Sequence, residues 1–314
     1  APRLVTTAYD VDRHALPRLK RWALGIPETH VRVQIGPGGR LVVPDRYAPN
    51  FAEKARALLL SSRRFYANLQ WQSLPVRPTI PTLEPSTSFS ALVERVFSEA
   101  PGLVIGETLD RLTSTRLVIE NMPSMAAQGL KTIYMRRLLA DFAQADLNDY
   151  FTSGVMSEDL LSYLRRLGTD PTGRFNQLEL VKTAQANGVR VQALDCAANY
   201  RRPVPQTAVD EQMMANHLTN EIMFTDKILN GHGKWLILTG AESTNTFRGL
   251  AGLAELEGGI GVRIEDVNPG QGQRLEIDPG IDVDRGPFFT DDNTRGTADT
   301  LQADLIASHR QMRA

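Results

Sequence analysis

Apolar positions change their rhythm near residue 88. Before it they recur mostly at helical spacing. After it, helical stretches alternate with short continuous apolar runs. Residues 1–75 therefore read as a mostly helical region. Residues 11–24 place apolar side chains at helical spacing among several Arg and Lys. Residues 51–71 carry Phe51, Ala55, Leu58, Leu59, Phe65 and Leu69 near one side. Residues 31–43 alternate around Pro37, Gly38 and Gly39, the pattern of a small hairpin with a glycine turn. Pro75, Pro78, Pro81 and Pro85 then mark residues 76–87 as a linker or strap.

From residue 88 onward the pattern predicts helices over 88–98, 113–128, 138–151, 157–167, 175–187 and 210–229. It predicts strands over 103–105, 131–135, 189–194, 235–238 and 262–264. Ser88 fits an N-cap, and Gly129, Gly188 and Gly231 fit helix stops. Pro123 predicts a break or kink. Strand, helix and strand in alternation predict an α/β domain over 88–314, with a mainly parallel central sheet and helices on both faces. The stretch after Pro269 is rich in Gly, Pro and Asp and predicts a wrapping tail, closed by a helix over 300–310.

Composition narrows the partners. The chain has 314 residues, 42% hydrophobic and 23% charged, enough for a large core. Its net charge of −1 provides no global field for nucleic acid, and no nucleic-acid partner is expected. Lys54, Arg56, Arg63 and Arg64 form a local basic face, either solvated or in contact with phosphate. A single cysteine, Cys196, excludes an intramolecular disulfide. No run reaches the roughly 18 apolar residues of a membrane span. The start, Ala1-Pro2-Arg3-Leu4, has no initiator Met and no apolar signal core. It reads as a piece of something longer, or as simple processing.

Four strand ends carry polar clusters, where a parallel sheet usually builds its site. Glu107 follows the first strand. It can bind a metal or act as a base, or it can stabilise the dipole of the next helix. Arg136 and Arg137 end the second strand. They suit carboxylate or phosphate recognition, lie on the surface, or pair with Glu107. Asp195 and Cys196 end the third, where a nearby negative charge makes a buried inert thiol the better reading. Glu242 and Ser243 end the fourth. The surrounding residues form no G-x-S-x-G elbow, and Ser243 reads as an N-cap. None of the five histidines sits at a strand end or has metal-ligand spacing. His217 reads as a surface or partly buried position on its helix. The 258–261 glycine run reads as a turn.

Taken in order, these stretches resemble the TIKI/ChaN/erythromycin-esterase-like superfamily, in the branch found inside large bacterial toxins and effectors (Pasteurella mitogenic toxin and Mcf-type toxins). The resemblance covers about 101–266. It rests on Gly102-Leu103-Val104-Ile105-Gly106-Glu107, Leu117-Val118-Ile119-Glu120-Asn121-Met122, Gln144-Ala145-Asp146-Leu147, the run from Asn187 to Cys196, and Lys234-Trp235-Leu236. The superfamily's first strand typically ends Gly-Glu-x-His, and here Leu109 takes the His place. Arg136-Arg137 stand for Glu-His, Ser243 for a His, and Gly168-Thr169 for a Gly-His.

The family's chemistry is hydrolytic and metal-assisted. These replacements remove ligands and add positive charge, so the resemblance implies no metal and no cofactor here. It implies a secreted bacterial toxin or effector domain, acting in the host cytoplasm or at a host membrane. The expected role is a pseudoenzyme serving as a binding or scaffold module, with Arg136, Arg137, Glu242 and Ser243 as binding residues. The alternative is an active hydrolase using Glu107, Asp195 and Arg136. A third reading is a docking module for a host protein or an anionic membrane through the basic N-terminal helices. Expected partners are a host-cell protein or other domains of a larger toxin.

Overall fold

The computed structural model describes residues 3–6, 32–35, 41–42, 48–76, 78–79, 81, 87–107, 113–167, 173–196, 207–247, 249–266, 275–276, 288–289, 303–306 and 310–311. Strands β1 (Arg3–Thr6), β2 (Arg32–Ile35) and β3 (Leu41–Val42) form an antiparallel sheet with β2 in the middle. Then come α1 (Ala48–Asn68), α2 (Phe89–Glu99), β4 (Gly102–Glu107), α3 (Thr113–Ala127), β5 (Leu130–Leu139), α4 (Ala140–Ser153) and α5 (Glu158–Leu164). They are followed by α6 (Gln177–Ala186), β6 (Arg190–Asp195), α7 (Ala208–Asn230), β7 (Lys234–Gly240), α8 (Leu253–Glu257) and β8 (Ile260–Asp266). Short strands β9 (Leu275–Glu276), β10 (Phe288–Phe289), β11 (Ala303–Ile306) and β12 (Arg310–Gln311) complete the order.

Strands β6, β5, β7, β4 and β8, in that order, make a five-strand all-parallel sheet with helices around it. The expected α/β class is therefore what forms. The hairpin expected over 31–43 is β2 and β3, but β1 was not anticipated in a region read as mostly helical. The helix expected over 11–24 lies outside the described residues. The helix expected over 300–310 is replaced by β11, which runs antiparallel to β8.

The chain divides into two compact units. One gathers Ala1–Asn68, Met135–Thr172 and Arg190–His232. In it α1 packs on α7. Ala55, Leu58 and Leu59 of α1 are buried, as are Leu218 and Ile222 of α7. Two polar contacts fix that pairing. Ser61 Oγ lies 2.8 Å from His217 Nε2, with the Phe65 ring centred 5.0 Å from the imidazole. The Arg63 Nε donates to Asp210 Oδ1 at 2.9 Å. His217 is thus buried, against the surface or partly buried position expected, because α1 covers it.

The same unit holds β6, an end strand of the sheet. Two of its backbone groups are met by one side chain of α4. Gln144 Nε2 donates to the Val191 carbonyl at 3.2 Å, and Gln144 Oε1 accepts from the Ala193 amide at 2.7 Å. Gln144 is fully enclosed there. A single amide so imitates a paired strand, one way of blunting a sheet edge.

The other unit gathers Leu69–Tyr134, Gly173–Val189 and Gly233–Ala314. Ser88 caps α2 by accepting from the Ala91 amide, as its position predicts. The buried face of α2 is Phe89, Leu92, Val93, Val96 and Phe97. Lys234 closes its other end, donating to the Ala100 carbonyl at 2.8 Å and to the Phe97 carbonyl. Helix α3 runs through Pro123 without a break. The one lost helical bond is offset by full burial of Val118, Met122 and Met125. At the centre lies β4, buried along all of its length between parallel neighbours β7 and β8.

Two stability tests follow from the first unit. The Arg63 guanidinium holds the Asp210 carboxyl below the usual carboxylate range. Burial opposes this, and hydrogen bonds from Thr207 support it. A carboxyl depressed on folding stabilises above its unfolded pKa of about 3.9, and that contribution is lost as pH falls through the folded value. Urea unfolding should therefore show a midpoint that drops below about pH 4, with Asp210→Asn flattening the drop. At neutral pH that variant should cost about 0.5–2 kcal/mol through the weakened helix cap. Gln144→Leu should cost about 1–3 kcal/mol by stranding two buried backbone groups, and light scattering should show increased self-association.

Candidate functional site

In the unit built on β4, side chains alternate between the two faces of the sheet. Leu103, Ile105 and Glu107 share one face, and Val104 and Gly106 the other. Glu107 is the last residue of β4 and only 7% exposed. The first turn of α3, Thr113 to Thr115, is also buried. Ser114 Oγ donates to Glu107 Oε2 at 2.5 Å. The carboxylate therefore sits at the N-terminal turn of a helix and accepts a short charge-assisted bond, an arrangement that complements the helix dipole. Thr108, Leu109 and Asp110 lie outside the described residues.

After β7 the chain makes one tight turn, Ala241–Ser243. Glu242 is exposed and Ser243 fully buried. Ser243 is not the helix cap expected of it, because the next α-helix, α8, begins ten residues later and is preceded by Gly252. Instead, residues 244–246 pack under the sheet. The Thr244 hydroxyl occupies the place a Cβ on Gly106 would take, and the Asn245 amide oxygen does the same over Gly261. Asn245 Nδ2 donates to Glu255 Oε1 at 2.6 Å, and Glu255 Oε2 accepts from the Gly252 amide at 2.9 Å. The Ala254 amide donates to the Thr244 carbonyl at 2.9 Å.

Arg263, in the middle of β8, completes this face. It is 1% exposed, and its register partner on β4 is Gly106. Its Cγ lies 3.1 Å from the place a Cβ on Gly106 would take. Sequence reasoning did not single it out. The available signal was one charge inside the apolar run Ile260-Gly261-Val262-Arg263-Ile264, which a buried strand accepts only for a reason.

The other unit holds the remaining candidates. Arg136 and Arg137 do not end their strand. β5 continues to Leu139 because Leu138 and Leu139 are themselves buried, so both arginines are half-buried within it. Arg137 Nη2 is buried without a hydrogen-bond partner. Asp195 is the last residue of β6 and 8% exposed, and Cys196 beside it is fully enclosed. An enclosed thiol agrees with the inert reading. The expected cluster thus falls into two sets, Glu107, Glu242 and Ser243 in one unit and Arg136, Arg137 and Asp195 in the other. Among the described residues no group of three His, Cys, Asp or Glu side chains could hold a metal ion.

No family model matches the chain. Over 196 residues it is 27% identical to a multifunctional-autoprocessing repeats-in-toxin protein of Vibrio vulnificus, covering 62% of this chain and 3% of that toxin. The chain is a homologue of a toxin segment. Its fold matches that of RRSP, a MARTX toxin effector domain from Vibrio vulnificus CMCP6, with a TM-score of 0.55 at 19% identity, over 82% of this chain and 50% of that one. It also matches the C-terminal region of Pasteurella multocida toxin, with a TM-score of 0.52 at 12% identity, over 83% of this chain and 34% of that one. That structure is described as holding a thiol-protease-like catalytic triad. The chain thus spans half or less of each of these relatives.

The packing over Gly106 is directly testable. Gly106→Ala should destabilise by about 1–3 kcal/mol through overpacking. Adding Thr244→Ala should recover part of the loss, a coupling that a double-mutant cycle of thermal melts reads out.

Proposed function

We propose that this chain is an effector domain of a large bacterial toxin with a TIKI/ChaN-like fold, working as a binding or scaffold module and not as a hydrolase. The toxin assignment is supported by the sequence kinship with a Vibrio vulnificus toxin and by the fold shared with RRSP. The observation that carries the non-catalytic reading is the state of Glu107. It is buried, at the start of α3, and bonded by Ser114 Oγ. A general base needs access to a substrate proton, and Glu107 instead serves the fold. Leu109 stands two residues on, where the superfamily carries His. On this reading the module works within a larger secreted toxin, in the host cytoplasm or at a host membrane, and its partner is a host protein or a neighbouring domain.

Binding on this view draws on half-buried Arg136 and Arg137, whose planar guanidinium groups suit a carboxylate or phosphate of the partner. Glu242, exposed at the end of β7, and buried Ser243 belong to the other set of proposed binding residues. The alternative of an active hydrolase with Glu107, Asp195 and Arg136 finds support only in the placing of both acids at the ends of parallel strands. A thiol-protease version through Cys196 is disfavoured by the complete enclosure of that residue.

Ester, amide and peptide substrates decide between the two. The purified chain should turn over none of them above a heat-denatured control, and Glu107→Gln and Asp195→Asn should leave that background unchanged. Hydrolysis that falls at least tenfold in Glu107→Gln would establish the enzyme instead.

A further inference from the structure

The chain has two Asn-Gly pairs, Asn187-Gly188 and Asn230-Gly231, and each lies at the end of a helix. An asparagine before a glycine carries latent chemistry. The following backbone nitrogen can attack the side-chain amide, and glycine has no Cβ to hinder the approach. At the first pair the chain is pinned on both sides. Asn187 Nδ2 donates to the Thr183 carbonyl at 2.8 Å, and the Gly188 amide donates to the Gln185 carbonyl at 3.0 Å. The next residue, Val189, is fully buried, and its amide donates to the Ala184 carbonyl at 2.9 Å. The Gly188 nitrogen cannot swing toward the side chain without drawing Val189 out of the core. The second pair is open. Asn230 is exposed, and so are Gly231, His232 and Gly233 after it. Nothing lies within 4 Å of the place a Cβ on Gly231 would take, and its φ of 80° and ψ of −178° suit glycine. Two bonds restrain this pair. Asn230 Nδ2 donates to Asp226 Oδ1 at 2.8 Å, and the Gly231 amide donates to the Lys227 carbonyl at 3.0 Å. Both belong to the last turn of α7, and helix ends are among the parts of a fold that open most readily.

We propose that Asn230 is a self-modifying site, at which the domain acquires a new carboxylate. When the last turn opens, the Gly231 amide gives its proton to hydroxide and its nitrogen bonds to Asn230 Cγ. The C–N bond of the side-chain amide breaks, ammonia leaves and a succinimide ring remains. Water then opens the ring at either carbonyl, giving aspartate or isoaspartate. The product changes the charge at a sensitive place. Asp226 is 2% exposed, and Arg190 already presents both Nη1 and Nη2 to it. A second carboxylate four residues on makes a like-charged pair along the helix and shares that one guanidinium. It also sits at the C-terminal end of α7, where the helix dipole opposes negative charge. The modification therefore loosens the tie between the end of α7 and Arg190 at the start of β6. The inference does not depend on the toxin reading.

Peptide mapping by mass spectrometry tests it, on the whole chain held in warm, mildly alkaline buffer and sampled over time. Aspartate and isoaspartate should accumulate at position 230. Conversion of Asn187 should be at least about tenfold slower, the scale of one extra hydrogen bond to break. Gly231→Ala should nearly abolish the conversion by shielding the attacking nitrogen; should it fail to fold, the comparison with Asn187 decides. Thermal melts read the charge effect separately. Asn230→Asp should lower the melting temperature more than Asn230→Ser, which removes the bond to Asp226 without adding charge, and the gap should shrink with added salt. No conversion at 230, equally fast conversion of Asn187, or an Asn230→Asp variant as stable as Asn230→Ser overturns the proposal.

Discussion

The unit built on β4 is organised by places where a side chain is not allowed. On one face of the sheet, three glycines lie under three bulky or polar groups. Gly102 lies under the Trp235 ring, Gly106 under the Thr244 hydroxyl and Gly261 under the Asn245 amide. A Cβ at any of them would meet atoms closer than packed side chains permit. The constraint reaches outward from there. It lets residues 244–246 lie flat against the sheet, and that position brings Asn245 within reach of Glu255. Glu255 in turn caps α8 through the Gly252 amide. Turn, helix and the last parallel strand are thus held by polar bonds that exist only because β4 and β8 present backbone there.

The opposite face of β4 follows a different logic. There Glu107 meets the buried first turn of α3, and one short bond from Ser114 satisfies it. A carboxylate in that position stabilises its helix whatever else it does. This helps to explain how a fold shared with toxin effector domains can keep an acid at its first strand end while the residue two places on is leucine. Structure supplies a reason to keep Glu107 that does not depend on catalysis.

Much of this was legible in the chain. Ser88 as a cap, Gly129, Gly188 and Gly231 as stops, and the buried run of β4 all follow from local chemistry, and all are present. What local pattern could not carry was tertiary context. Arg136 and Arg137 looked terminal because two charges usually end a strand, yet two further leucines pull β5 onward into the core. Ser243 looked like a cap because of its residue type, but the helix it would have served begins far downstream. His217 looked partly solvated as a polar residue within a long helix, yet Ser61 and Phe65 of α1 pack against it and it is buried. Arg263 was not singled out, and Gln144 entered only as part of the family resemblance, not as the residue that covers a sheet edge. The groups Gln144 covers, on Val191 and Ala193, lie far along the chain, beyond the reach of local pattern.

Gln144 has an implication for how the molecule can be recognised. Open sheet edges attract extended peptides, which dock by adding a strand and are held by main-chain hydrogen bonds. At β6 the Val191 carbonyl and the Ala193 amide, two of the groups such a peptide would engage, are already taken by the Gln144 side chain. An arriving peptide would have to displace an enclosed amide before forming its first bond. At these two positions strand addition is opposed, so recognition there works through side chains and surface shape.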